Sequence, residues 1–117
     1  MNQSKICGLL GLCKKAGKLI SGTDMVLEAV RSSKRKPFLV LLSEDASANT
    51  LKKVHNCCSF YDAKLIKLSI DGETLARCVG KTGTIALVAI IDKGFADALE
   101  KQLSAKSEFM EEREENI

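Results

Sequence analysis

The segment FLVLL, residues 38–42, is the clearest indication of the fold, and IALVAII, residues 85–91, has the same character. Each is a short, unbroken run of apolar side chains between turn-forming or polar residues. Such a run is typical of a strand that is buried on both faces. Strands of this kind occur in sheets that are covered by helices on each side, so the two stretches predict a layered α/β domain.

Segments with helical spacing of apolar residues alternate with strands along the rest of the chain. The predicted helices cover residues 4–15, 21–33, about 47–58 and 71–79, and a last helix begins at residue 93. Two further strands are predicted at residues 19–21 and 65–68. The alternation predicts a single domain, residues 1–107, that forms a three-layer α/β/α sandwich around a four-stranded sheet of unknown strand order.

Charge is distributed unevenly along the chain. The net charge is +3, but residues 1–107 carry +7 because residues 108–117 contain five glutamates and one arginine. We expect residues 108–117 to form an acidic, frayed tail. A basic body of this size commonly faces a polyanion, and nucleic acid is the commonest one. A soluble surface that is merely rich in lysine is the alternative.

Cysteine content and the length of the apolar runs indicate the cellular compartment. An odd number of cysteines cannot all pair, and the N-terminal residues lack the pattern of a secretion signal. We therefore expect a cytoplasmic protein with five reduced cysteines: Cys7, Cys13, Cys57, Cys58 and Cys78. No apolar run approaches the roughly 18 residues of a membrane span, so no membrane partner is expected.

Three clusters of functional side chains do not favour catalysis. The loop GKTGT, residues 80–84, lacks the earlier glycine of a phosphate-binding loop, and a strand follows it where such a loop needs a helix. Glu44 and Asp45 have no nearby histidine or lysine partner, so Asp45 is expected to bind backbone donors at the turn into the next helix. The histidine and two cysteines within residues 55–58 lack a second ligand pair for zinc. We expect no enzyme activity, small-molecule substrate, metal or cofactor.

The segment SGTD, residues 21–24, joins a short strand to a helix. Unpaired backbone N–H groups and the positive end of the helix dipole at such a position favour a phosphate or a nucleobase acceptor. The alternative is an ordinary helix start that is capped by the side chain of Ser21 or Thr23.

Four segments, in this order, resemble a known family: GKLISGTD (17–24), FLVLLSEDAS (38–47), LARCVGK (75–81) and IIDKGFA (90–96). Over about residues 5–103 the chain is similar to the kink-turn-binding ribosomal proteins of the L-seven-Ae and L-thirty-e group, and most similar to their bacterial YlxQ-type branch. The resemblance implies an α/β/α fold with a mixed sheet and no catalysis. It also implies binding to structured RNA, usually at the sharply bent internal loop called a kink-turn.

The resemblance also implies where RNA binds. In the family, the start of the second helix meets tandem sheared G·A pairs, and a loop before the last strand covers a flipped-out nucleotide. The matching positions here are Gly22, Thr23, Asp24 and Met25 for the helix start, and Lys81, Thr82 and Gly83 for the loop. Ser21 adjoins the first group. Phosphate contacts are expected from Lys14, Lys15, Lys18, Arg31, Lys34, Arg35 and Lys36.

Three positions depart from the family pattern. Asp24 replaces an amide or lysine, Met25 a glutamate or glutamine, and Glu28 a helix lysine. These changes remove donors and add negative charge beside the expected RNA. The leading hypothesis is a non-catalytic, ribosome-associated protein that recognises structured RNA by its shape. The alternative, favoured by the two carboxylates and the acidic tail, is a protein-interaction adaptor with the same fold.

Overall fold

Helices cover both faces of one sheet. The computed structural model describes residues 3–32, 34 and 36–103. The elements are α1 Gln3–Lys15, β1 Leu19–Ser21, α2 Thr23–Arg31, β2 Leu39–Leu42, α3 Ala48–Phe60, β3 Leu65–Lys67, α4 Gly72–Cys78, β4 Leu87–Ile90 and α5, residues 93–103. The acidic tail predicted at residues 108–117 lies outside the described residues.

The four strands lie in the order β1-β4-β2-β3. β4 is antiparallel to both of its neighbours, whereas β2 and β3 are parallel. Ile90 is the register partner of Leu39 on one side and of Leu19 on the other. The predicted α/β/α sandwich around a mixed four-stranded sheet is thus confirmed, and the structure supplies the strand order that the sequence left open.

Each central strand serves two hydrophobic cores. Leu39 and Leu41 pack in a core with residues of α1, α4 and α5, whereas Val40 and Leu42 pack in a second core with residues of α2 and α3. Side chains alternate between the faces of a sheet, so every residue of β2 is buried on one side or the other. This double burial explains the unbroken apolar run in the sequence.

The two ends of the sheet carry different loops. β1, β2 and β3 end where β4 begins, and we call this the Gly22 end because α2 starts there. The opposite end, which we call the Lys18 end, carries the start of β1 and the connector 32–38 between α2 and β2. α2 and α3 both start at the Gly22 end and pack side by side on one face, so both helices finish at the Lys18 end.

Two predicted helix starts are capped by side chains. Ser47 Oγ accepts a hydrogen bond from the Thr50 N–H at 3.2 Å, and Asp71 Oδ1 accepts one from the Thr74 N–H at 2.7 Å. Hydrogen bonding from Thr74 lowers the pKa of Asp71. The predicted role of Asp45 needs a correction, because its Oδ1 accepts from the Gly72 N–H of α4 at 2.8 Å and thus ties together loops that follow two different strands.

The expectation of five reduced cysteines is wrong, because Cys7 of α1 and Cys78 of α4 form a disulfide. The two helices pack together with the Cα atoms of the pair 5.0 Å apart, although 71 positions separate them in sequence. Cys13, Cys57 and Cys58 are free and buried. Burial raises the pKa of Cys13 and of Cys58 to about 11, so both remain protonated thiols at neutral pH.

Within the described residues, no helix is both long and apolar enough to cross a membrane.

We expect denatured protein to titrate three free thiols before reduction and five after it. Reduction should also lower the midpoint of thermal unfolding by on the order of 10 °C, because the disulfide closes a long loop in the unfolded chain. Thiol titration in guanidinium and differential scanning calorimetry would measure the two effects. Five titratable thiols in protein that has never met a reductant would contradict the disulfide.

Candidate nucleic-acid interface

Helix α2 begins without a side-chain cap. Gly22 is the N-cap residue, and neither Ser21 nor Thr23 accepts a capping hydrogen bond from the first turn. The Gly22 φ of 101° lies in a region that glycine adopts far more readily than other residues. The Gly22 N–H donates to the Leu87 carbonyl at 2.9 Å, which fixes the start of α2 to the start of β4. The first turn of α2 therefore keeps donors for a ligand.

Strand β1 has one free edge. The Gly22 N–H bonds to Leu87 and the Ile91 N–H bonds to the Lys18 carbonyl, so the even-numbered residues of this strand face β4. By the antiparallel pattern, the N–H and C=O groups of Leu19 and Ser21 point away from the sheet. Polar backbone groups are thus presented along this edge.

A groove of about 490 Å³ lies along that edge. Its floor is β1, and its walls come from the end of α1, from α2 and from the loop before β4. The lining residues are Lys14, Leu19, Ile20, Ser21, Met25, Glu28, Ala29, Ser32 and Lys81. Ser21, Met25 and Lys81, which the sequence placed at a helix start and in a separate loop, therefore share one groove. We call it the β1 groove.

A second groove of about 590 Å³, lined only by polar and charged residues, lies between the first turn of α2 and the first three turns of α3. It is lined by Thr23, Asp24, Asn49, Thr50, Lys52, Lys53 and Asn56. Asp24 Oδ1 lies 3.8 Å from Lys53 Nζ, and both side chains are largely exposed. A pair this exposed stabilises the fold little, so Lys53 remains able to contact another anion.

The loop before β4 is held by close packing against Gly72. The Ile85 N–H donates to the Gly72 carbonyl at 2.9 Å. A methyl group at Gly72 would overlap Thr84 Oγ1 and press on the Ile85 carbonyl, so only glycine lets the loop approach α4 this closely. Lys81 is anchored at the other end of the loop, since its N–H donates to the Ala76 carbonyl at 2.9 Å.

The other predicted site residues fall into two groups. Thr82 and Gly83 are exposed in the loop beside Lys81. Lys18, Arg31 and Lys34 are also exposed, but they lie at the Lys18 end, about the length of α2, or roughly 13 Å, from Gly22. The structure therefore does not gather all predicted residues at one point, but spreads them from one end of β1 and α2 to the other.

Among the residues that the structure describes, exposed cations outside any ion pair concentrate at the Lys18 end. Four ion pairs occur among the described residues: Lys53–Asp24, Lys64–Glu100, Arg77–Glu73 and Lys93–Asp97. None of these pairs involves the cations predicted to contact phosphate, which are Lys14, Lys15, Lys18, Arg31, Lys34 and Lys36. The predicted contact residue Arg35 lies outside the described residues. These side chains create a positive field beside the β1 groove.

Sequence reasoning missed the second groove. Asn49, Lys52, Lys53 and Asn56 recur every three or four residues on α3, which is the spacing of one helix face. That polar stripe could have indicated a binding surface on α3. It lines a groove only because α3 packs beside α2, which the sequence does not show. Among the described residues, no three His, Cys, Asp or Glu side chains group as metal ligands would.

Residues 4–100 match the model of the ribosomal protein L7Ae/L30e/S12e/Gadd45 family. The chain belongs to this family. Membership confirms the family resemblance that the sequence showed. It also confirms the prediction that the protein is not an enzyme. The match covers nearly all described residues, including β1, the start of α2 and the loop before β4.

Relatives agree with the family assignment, and solved structures agree with the fold. The RNA-binding protein YlxQ of Bacillus subtilis is 43% identical over 91 residues, which cover 78% of this chain and 87% of the relative. YlxQ of Enterococcus faecium is 36% identical over 95 residues, covering 81% and 87%. A Bacillus halodurans protein of unknown function superposes with a TM-score of 0.74 at 31% identity, covering 83% of this chain and 94% of that one. The Giardia lamblia 15.5kD RNA binding protein shares the fold at a TM-score of 0.69 and 14% identity, covering 85% and 82%.

The substitution Gly22→Ala should lower the free energy of unfolding by about 1 to 2 kcal/mol, because alanine at a φ of 101° is strained. Gly8→Ala is the matched control, since Gly8 lies inside α1 with open space around it, and alanine there should stabilise by about 0.5 to 1 kcal/mol. Urea unfolding of both variants would measure the difference. Equal stabilities would show that Gly22 does not adopt a positive φ at the start of α2.

Proposed function

We propose that this protein binds structured RNA along the β1 groove, and that the RNA is a kink-turn or a similarly bent internal loop. The observation that carries the proposal is the meeting of Ser21, Met25 and Lys81 in one groove beside the uncapped start of α2. The YlxQ relatives, which are named as RNA-binding proteins, support it. The RNA belongs to the ribosome or to another ribonucleoprotein.

The groove suits the edge of a bent RNA helix in two ways. Donors at the start of α2 and at the free edge of β1 match base-edge acceptors, and Lys81 supplies a cation at the loop before β4. The Met25 side chain is 60% exposed, and it gives an apolar surface for a base that leaves the stack. Cations at the Lys18 end then contact phosphates further along the same RNA.

A protein-interaction adaptor is the second candidate. The free edge of β1 favours it, because an extended peptide can pair with such an edge. Glu28 lines the same groove and suits a basic partner. Titration with structured RNA separates the two candidates: an RNA binder loses affinity steeply as salt rises, roughly in proportion to the number of phosphate contacts.

The substitution Lys81→Glu should weaken binding to a kink-turn RNA by about tenfold at physiological salt, because it reverses a charge in the groove. The thermal midpoint should hardly change, since the Lys81 side chain is exposed. Lys101→Glu on α5 makes the same charge change on an exposed residue outside both grooves, and is the control. Filter binding over a range of salt concentrations would measure both; equal losses for the two variants would place the RNA elsewhere.

The substitution Asp24→Asn should tighten binding to the same RNA about three- to tenfold, because it removes a repulsive charge at the exposed start of α2. Glu73→Gln is a close control: Glu73 Oε1 also lies 3.8 Å from its cationic partner, Arg77, and it too is exposed. Its affinity should stay within about twofold of the parent. A weaker Asp24→Asn complex would mean that the carboxylate accepts a hydrogen bond from the RNA.

A further inference from the structure

Aromatic side chains are exposed at the Lys18 end, outside both grooves. Phe60, the last residue of α3, is 80% exposed, the largest fraction among the exposed large hydrophobic residues described. Phe38, just before β2, is 50% exposed. Leaving two phenylalanines in water forgoes the stabilisation that burial would give, so a ligand that covered the rings would gain it.

The topology places Phe38 and Phe60 at the same end of the domain. Phe38 immediately precedes β2, and the Val40 N–H donates to the Lys64 carbonyl at 2.8 Å, so the start of β2 lies beside the segment that follows α3. Phe60 is the last residue of α3. The connector from α2 to β2 ends at Phe38, and it carries the exposed Lys34 and Lys36.

Tyr61 supports the Phe60 ring from behind. The two ring centroids lie 4.9 Å apart with an angle of 74° between the planes, an edge-to-face arrangement. Tyr61 is itself half-buried against the second core. The Phe60 ring is therefore held in place from the core side while most of its surface stays in water.

We propose that Phe60 and Phe38, together with Lys34 and Lys36, form a second RNA-contact surface that stacks unpaired bases flanking the structured RNA. The inference rests on the proposed function and extends it to a single-stranded flank. Exposed rings beside cations match the two parts of a single strand, since a base stacks on an aromatic face while its phosphate meets a lysine. The basic connector also joins this surface to the end of α2, so one RNA molecule reaches both.

The carboxylates nearby do not cancel this charge. Asp62 is exposed in the turn after α3, and Glu100 of α5 pairs with Lys64. Neither forms an ion pair with Lys34 or Lys36 among the described residues. A polyanion therefore fits this surface better than an acidic peptide, which would offer charge but no stacking bases.

The test compares two RNAs: a kink-turn hairpin alone, and the same hairpin with a flank of about eight unpaired nucleotides. The parent protein should bind the flanked RNA about tenfold more tightly, and Phe60→Ala should remove most of that gain without weakening binding to the hairpin alone. Leu51→Ala is the control, because it also removes an exposed apolar side chain from α3. Emission from Tyr61, the single tyrosine of a chain without tryptophan, should change only with the flanked RNA.

The outcomes separate this inference from the proposed function. No gain from the flank, or a gain that Phe60→Ala retains in full, would overturn the stacking surface while leaving hairpin binding intact. If the parent protein does not bind the hairpin but binds the isolated single-stranded flank, and Phe60→Ala abolishes that binding, the proposed function is wrong and the stacking surface is supported. If the flank has no effect and Phe60→Ala instead abolishes binding to a protein partner, the surface docks a protein and the stacking proposal is wrong.

Discussion

The antiparallel pairing of β2 with β4 is the interaction on which the rest of the molecule depends. Each strand sends alternate side chains into two separate cores, so a shift of one residue would exchange the contents of both. The same register fixes the place where β4 begins. Because the Gly22 N–H bonds to Leu87 at that place, the start of α2 is positioned by strands in the middle of the sheet.

The β1 groove exists because β1 is an edge strand with a helix layer on each side. α1 and α2 belong to different cores and stand apart at the edge, with the strand at the bottom of the gap between them. A ligand there meets backbone donors from the sheet, side chains from both layers and the cation of Lys81. Glu28 is the one carboxylate among the residues that line the groove.

The sequence predicted the elements well where the signal is local. The apolar runs, the starts of α3 and α4 and the junction at residues 21–24 each depend on a few neighbouring residues, so periodicity and helix-start patterns reveal them. The disulfide between Cys7 and Cys78 and the contact of Gly72 with the loop before β4 depend instead on how distant segments pack. The predicted site residues came mainly from family resemblance. Their distribution between the two ends of the sheet depends on the orientations of β1 and α2 in the fold, which the sequence alone does not give.

The position of β1 also sets the order in which the molecule is completed during synthesis. β1 lies near the N-terminus, yet its sheet partner is β4, which is made last among the strands. Until Leu87 to Ile90 have left the ribosome, β1 has no strand partner and the Gly22 N–H has no acceptor. A nascent chain therefore carries most of its basic residues well before it has a folded surface on which to arrange them, and pairing over so long a stretch of sequence is a slow step of folding.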